Sequence, residues 1–276
     1  MNMGKRSPEI TFVTIATGKY WEYFLQMLAD FDQLLPGEYP YQVIVYENND
    51  IEIPDGIISS RCELTRLKSS YGVEWKLVTL KRYAEIYKVR DKIKGSRLLY
   101  LDADSAWLKP FDLSLLDTDV RLTLHPDCQI GIFGSRAGQN FTFVERVKII
   151  LGSLRKTQLV VGHWSDNKAA KFYVPNWRRR HYAHAAFWGG PTNKVINMCA
   201  ELAARVELDL IDGHIDTWMD EAYINWWAAN RDFKWFPKTI EGYRSKLETS
   251  SRRSVFFSLD KDAMDKRVNS ADRILK

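Results

Sequence analysis

The chain has 276 residues, 45% hydrophobic and 27% charged, which excludes disorder and collagen-like structure and fits an ordinary globular protein. Its 40 Lys and Arg against 35 Asp and Glu leave a formal net charge of +5, a mild excess that suits phosphate-bearing ligands but does not mark a nucleic-acid binder. The 3 cysteines (Cys62, Cys128, Cys199) are odd in number and widely spaced, so neither a disulfide framework nor a paired-cysteine zinc site is expected.

Ile10 to Thr17 (ITFVTIAT) is β-branched, stops at Gly18 and reads as a buried strand. Lys19 to Leu35 has Tyr20, Tyr23, Phe24, Met27, Leu28, Phe31 and Leu34 at helical spacing and closes at Pro36-Gly37. Tyr41 to Tyr46 is a second strand. Glu74 to Lys92 is a helix broken by Gly95, and Arg97 to Leu101 is a short strand running into Asp102. This alternation predicts a parallel α/β sheet with helical crossovers. Arg121 to Leu124 is a further strand. From Cys128 to about Tyr173 the pattern is weak, with one candidate helix from Phe143 to Leu154. Ala185 to Trp188 is short and apolar before Gly189-Gly190. Helices follow over Pro191 to Leu210, opened by its proline, and over Thr217 to Ala229. Phe233 to Phe236 reads as a strand stopped by Pro237, and from about Ser245 the chain reads as a charged, irregular tail. The whole is one domain with two lobes.

No run approaches the ~18–20 apolar residues of a membrane span, and Ile10 to Ala16 is a strand rather than the apolar core of a signal peptide. The expectation is a cytoplasmic chain with no membrane span. The 10 Trp and 13 Tyr offer flat faces with polar edges, which suit sugars and bases but also serve cores.

The chemistry concentrates at LLYLDADSAW, where Asp102 and Asp104 follow a hydrophobic strand. Ligands of open α/β sheets bind beyond the carboxyl ends of strands. In an extended chain residues i and i+2 face the same way, so both carboxylates address one site. Two like charges held together call for a cation, and hard oxygen ligands suit Mg²⁺ or Mn²⁺, which in turn hold a diphosphate. The bland reading is a turn with two solvated aspartates. A phosphatase with an aspartate nucleophile fits poorly: it wants Thr where Ala106 stands, and the acidic pair on the first strand. A nucleotidyltransferase needs more of a phosphate loop than Gly18-Lys19.

Six segments, in order from about residue 10 to 237, resemble glycosyltransferase family 6, the retaining enzymes that include the blood-group A and B transferases and α-1,3-galactosyltransferase. They are Ala16-x-x-Lys19-Tyr20, Trp75 with Arg82, Asp102-Ala103-Asp104, Thr123-Leu124-His125-Pro126, His184 to Gly190 (HAAFWGG), and Trp218-Met219-Asp220-Glu221 with Asn225. Met219 departs from the family's usual His. The stretch from Pro126 to His184 is longer than in the mammalian members, and its basic run Arg178-Arg179-Arg180 reads either as a phosphate or acceptor contact or as a solvated loop.

The resemblance implies a metal-dependent nucleotide-sugar fold of the GT-A type, a Rossmann-like mixed sheet with flanking helices. One catalytic domain spans 1–245, its N-terminal half for the nucleotide-sugar and its C-terminal half for the acceptor, and a charged tail over 246–276 closes over the donor. It implies transfer of galactose from UDP-galactose to a galactoside-type glycan acceptor in α-1,3 linkage. UDP-N-acetylgalactosamine as donor, or a non-catalytic carbohydrate-binding protein on a degenerate transferase fold, are the alternatives. Asp102 and Asp104 then hold Mn²⁺ or Mg²⁺. Glu221 is the catalytic carboxylate at the anomeric carbon. Ile15, Ala16, Thr17, Tyr20, Arg82, Asp102, His184, Ala185, Ala186 and Asp220 bind the donor, with His184-Ala185-Ala186 of the galactose type. His125 and Trp218 bind the acceptor.

Overall fold

Hydrophobic side chains alternate along the central strands so that both faces of one sheet are buried. Phe12, Val43, Val45, Leu99 and Leu101 enter one core cluster, and their neighbours Val13, Ile44, Tyr46, Leu98 and Tyr100 enter the other. This is why those strands read as near-continuous apolar runs. The computed structural model describes residues 7–35, 39–48, 50–54, 56–70, 75–107, 109–125, 147, 151, 162–214, 219–237, 240–243 and 256–258. In chain order the elements are β1 (Ile10–Ile15), α1 (Tyr20–Leu34), β2 (Tyr41–Glu47), β3 (Cys62–Lys68), α2 (Trp75–Lys88), β4 (Arg97–Leu101), β5 (Ser105–Trp107), β6 (Arg121–Leu124), β7 (Ala183–Pro191), α3 (Thr192–Ile211), α4 (Met219–Asn230), β8 (Lys234–Trp235), β9 (Glu241–Tyr243) and β10 (Phe256–Ser258).

The main sheet has seven strands in the order β3-β2-β1-β4-β7-β6-β8, flanked by helices. Aromatic and aliphatic residues of α1 (Trp21, Phe24, Met27, Leu28, Phe31) cover one face, while α2, α3 and α4 pack on the other through Leu80, Tyr83, Met198, Leu202 and Tyr223. The strands β3, β2, β1 and β4 run parallel. The chain passes from β1 outward to β2 and β3, then returns to the other side of β1 as β4. That reversal is the topological switch point, and the crevice beyond the carboxyl ends of β1 and β4 is where such sheets bind ligands.

The structure departs from the sequence expectation in four places. The sheet is mixed, as the family resemblance implies, and not parallel throughout as the strand–helix alternation predicts, because β7 runs antiparallel to both β4 and β6; an antiparallel neighbour needs no helical crossover. An edge strand, β3, carries Glu63, Arg66 and Lys68 and is nowhere fully buried, so it lacks the apolar pattern by which strands are recognised. The end of the chain is not wholly irregular: β10 pairs antiparallel with β5 and parallel with β9 in a small second sheet. The helix expected to run on to Lys92 ends at Lys88 and continues as a short 3₁₀ turn over Arg90–Lys92. The candidate helix at 143–154 lies outside the described residues apart from Val147 and Leu151. Among the described residues no helix is long and apolar enough to cross a membrane.

Gly189 permits the close β4–β7 contact. A Cβ there meets the Leu98 carbonyl oxygen at 2.5 Å and Leu99 Cδ1 at 2.7 Å. Gly189→Ala is therefore expected to lower the stability read from urea unfolding by about 1–3 kcal/mol, the usual cost of overpacking a rigid interior.

Candidate active site

The acidic pair leaves β4 at the switch point. Asp102 still belongs to the ladder through its N–H, which donates to the Ala186 carbonyl of β7 at 2.9 Å. The chain then turns, Ser105 N–H donating to Asp102 O at 3.1 Å, instead of continuing extended as expected. Burial raises the pKa of the Tyr20 hydroxyl, at the start of α1, and the charges of Asp104 and Asp102 add to it. Ile15, Ala16 and Thr17 leave β1 beside that position, and Ala16 N–H donates to Tyr46 O at 2.8 Å. The turn is therefore real, but its aspartates are only partly solvated.

Beneath the acidic pair lies Arg82, with its side chain 2% exposed. Its Nε donates to the Thr79 carbonyl at 2.9 Å, one turn back on α2. Nη1 donates to the Ala185 carbonyl at 2.9 Å and lies 3.4 Å from Asp102 Oδ1, and Nη2 is 2.9 Å from Asp220 Oδ2. Its plane lies over the Tyr100 ring, 4.7 Å from the centroid. A solvated helix face does not describe this residue. It is a buried cation whose donors are committed to protein groups from β4, β7 and α4.

Two tyrosines complete this layer. Tyr100 donates its hydroxyl to Asp102 Oδ1 at 2.8 Å, and Tyr83 donates to the Asp220 carbonyl at 2.9 Å. Burial pushes both phenols far above their ordinary range, so both remain donors. Sequence reasoning missed Tyr100, although a signal existed: it stands two residues before Asp102, on the same strand face.

The second half of the site forms around Glu221, in the first turn of α4. His125 follows β6 directly, with its N–H donating to Tyr182 O at 2.8 Å, and His184 lies on β7. The β6–β7 register breaks between Leu122, opposite Trp188, and Thr123, opposite His184. The irregularity draws the two imidazoles together, with ring centroids 4.6 Å apart, and turns both toward Glu221. Glu221 Oε1 lies 3.6 Å from His125 Nε2 and 3.9 Å from His184 Nε2. Asn225, one turn further along α4, fixes the helix to β7. It accepts from Ala183 N–H at 2.6 Å and donates to the carbonyls of Ala183 and Glu221 at 2.9 and 2.8 Å.

Burial pushes the Glu221 carboxyl up to about 7 from 4.5; neighbouring Asp220 adds to this, while His184, the Tyr182 hydroxyl and the Ala185 amide oppose it. Burial, reinforced by His184 and His163, holds His125 down to about 2 from 6.5. Both groups therefore resist ionisation where they sit.

Of the residues expected at a site, Ile15, Ala16, Thr17, Tyr20, Asp102 and Asp104 gather at the switch point, and His125, His184 and Glu221 gather beside α4. Arg82, Ala185, Ala186 and Asp220 join the two groups. Trp218 lies outside the described residues. The basic run divides: Arg178 stacks on exposed Trp177, whereas Arg179 is buried and donates to the carbonyls of Val174 and Ser165, both at 2.8 Å. Arg179 is thus neither a phosphate contact nor part of a solvated loop. No protein-family model and no curated protein matches the chain.

Two stability measurements follow from these contacts. Arg82→Met strands two carboxylates against an apolar side chain and is expected to cost about 3–5 kcal/mol in urea unfolding. The pH dependence has two opposed parts. Between 4.5 and 7 folded Glu221 keeps a proton that the unfolded chain has lost, so this group lowers stability as pH rises; below 6.5 the unfolded chain protonates His125 while the folded chain does not, so that group lowers stability as pH falls. Glu221→Gln removes only the first. Unfolding midpoints from pH 6.5 to 4.5 should then fall more steeply in the variant than in the parent chain, by up to about 1.4 kcal/mol per pH unit.

Proposed function

We propose that the chain is a metal-dependent retaining glycosyltransferase of the GT-A type, similar to glycosyltransferase family 6, that moves galactose from UDP-galactose to a galactoside-type acceptor. The observation that carries this reading is the convergence of segments far apart in the chain. Arg82 lies against both Asp102 of the Asp-Ala-Asp motif and Asp220, the neighbour of Glu221, and binds the backbone of the His-Ala-Ala segment. Each of these pieces matters to a nucleotide-sugar enzyme, and they need to meet at one end of the sheet.

The donor set fits a hard divalent cation. Asp102 and Asp104 offer carboxylate oxygens on one turn, and Tyr100 and Arg82 both hold the same oxygen of Asp102, Oδ1, which orients the other. A bound Mn²⁺ or Mg²⁺ supplies neutralisation of the charge that develops on the departing diphosphate. Ile15, Ala16, Thr17 and Tyr20 form the edge of β1 and α1 against which the uridine rests. The small residues Ala185 and Ala186 leave room for the hexose beside β7, and His125 takes an acceptor hydroxyl. Glu221 faces the anomeric carbon and stabilises the positive charge that grows there as the bond to the UDP oxygen breaks; the acceptor oxygen bonds to that carbon with net retention, and its proton leaves on the departing diphosphate. It does so as the carboxylate, so its elevated pKa matters to turnover.

Release of UDP from UDP-galactose with Mn²⁺ tests the reading, with UDP-N-acetylgalactosamine run alongside to assign the donor. Turnover is expected to vanish in Asp104→Ala and to fall about 100-fold or more in Glu221→Gln. In the parent chain kcat/KM should rise with pH up to about 7, as Glu221 ionises, and then level off. Full Mn²⁺-dependent turnover in Asp104→Ala overturns the metal assignment. Turnover with neither sugar nucleotide overturns the function.

A further inference from the structure

Two imidazole nitrogens stand around the Glu221 carboxylate at more than hydrogen-bond distance from it. His125 Nε2 and His184 Nε2 approach one carboxylate oxygen at 3.6 and 3.9 Å, beyond hydrogen-bond reach, and one ligand atom from each of the three residues lies within 4.8 Å of the others. The edge between two ligands of a tetrahedral zinc ion is about 3.4 Å, given metal–ligand bonds near 2.0–2.1 Å. The two edges that share the carboxylate, at 3.6 and 3.9 Å, are thus a few tenths of an ångström too long, and no edge, all lying within 4.8 Å, is open by more than about 1.4 Å.

We infer that His125, His184 and Glu221 form a binding site for a transition-metal ion such as Zn²⁺, separate from the carboxylate pair of Asp102 and Asp104. Two imidazoles and one carboxylate are a borderline-soft donor set that prefers Zn²⁺, Co²⁺ or Ni²⁺, whereas an all-oxygen pair prefers Mg²⁺ or Mn²⁺. The three ligands come from the end of β6, from β7 and from α4, and backbone contacts hold those segments together. His125 is anchored by its N–H on Tyr182 O, and the Asn225 side chain ties Ala183, next to His184, to the backbone of Glu221. Such outer contacts hold ligands in place before a metal arrives. A third imidazole stands nearby: exposed His163 is 6.2 Å ring to ring from Tyr182, which is 5.9 Å from His125. Three protein ligands leave a coordination position open.

The site stands on these distances whether or not the chain transfers sugars. If it does, a further consequence rests on that reading: a metal on Glu221 withdraws the carboxylate from the sugar, so Zn²⁺ inhibits turnover that Mn²⁺ supports.

Cobalt(II) titrated into the purified full-length chain in excess Mg²⁺ tests the site without reference to turnover. One equivalent is expected to bind with the visible absorption of a four- or five-coordinate ion, and Zn²⁺ should displace it. Asp104→Asn should keep the signal, whereas His125→Ala and His184→Ala should each weaken binding by more than about 100-fold, direct ligands costing more than their outer partners. Absence of the cobalt signal in the parent chain, its persistence in both histidine variants, or its loss in Asp104→Asn overturns the proposal. Should circular dichroism show the histidine variants unfolded, X-ray absorption of the zinc-loaded parent chain decides. Two imidazole ligands are expected, and fewer than two overturns the proposal.

Discussion

A fully buried guanidinium needs anions and carbonyls around it, and the surroundings of Arg82 are built to that requirement. Taking the charge out of water costs several kcal/mol unless its partners are well placed. The partners are Asp102 at the end of β4, Asp220 at the start of α4, the Ala185 carbonyl in β7 and the Thr79 carbonyl in α2. Four elements therefore have to keep a common geometry for the fold to tolerate one side chain. The stacked Tyr100 ring and the Tyr83 hydroxyl limit the remaining freedom of the same groups. A rigid floor of this kind is suited to holding the half-buried acidic pair and the buried Glu221 at a set separation.

The irregular pairing of β6 with β7 does for the second group what Arg82 does for the first. Had the ladder continued in register beyond Leu122, Thr123 would stand opposite Phe187 rather than His184. Instead the Thr123 hydroxyl donates to the Phe187 carbonyl at 2.7 Å, which satisfies a group the break would leave unpaired. Phe187 and Ala186 stay bound to β4 and to Asp102 just beyond it, while Ala185 to Phe187 leave the β6 ladder. That detachment aligns the Ala185 carbonyl with Arg82 and moves His184 beside His125. The burial this produces raises the pKa of Glu221 and depresses that of His125, so both titrate far from where they do in water.

Much of this was legible in the chain itself. The alternating strands and helices, the acidic pair after a hydrophobic strand, the proline-led helix at Thr192–Ile211 and the short strand Arg121–Leu124 all follow from period, propensity and turn chemistry, which act over a few neighbouring residues. The edge strand β3 did not stand out, because a half-exposed edge carries polar residues on both faces. The direction of β7 did not either, since an apolar strand has the same pattern whichever way it runs.

The sequence by itself determined which groups are available: two carboxylates at a strand end, two histidines, an arginine on a helix, and an acidic pair opening another helix. Only the tertiary structure decided what each became. Arg82 is a solvated arginine by composition and a buried hub by position, because Asp102 lies 20 residues away and Ala185 103 residues away in the chain yet within reach in space. The grouping of His125, His184 and Glu221 likewise depends on a break in strand register. Register is set by the packing of whole elements against one another, which no local stretch of sequence encodes.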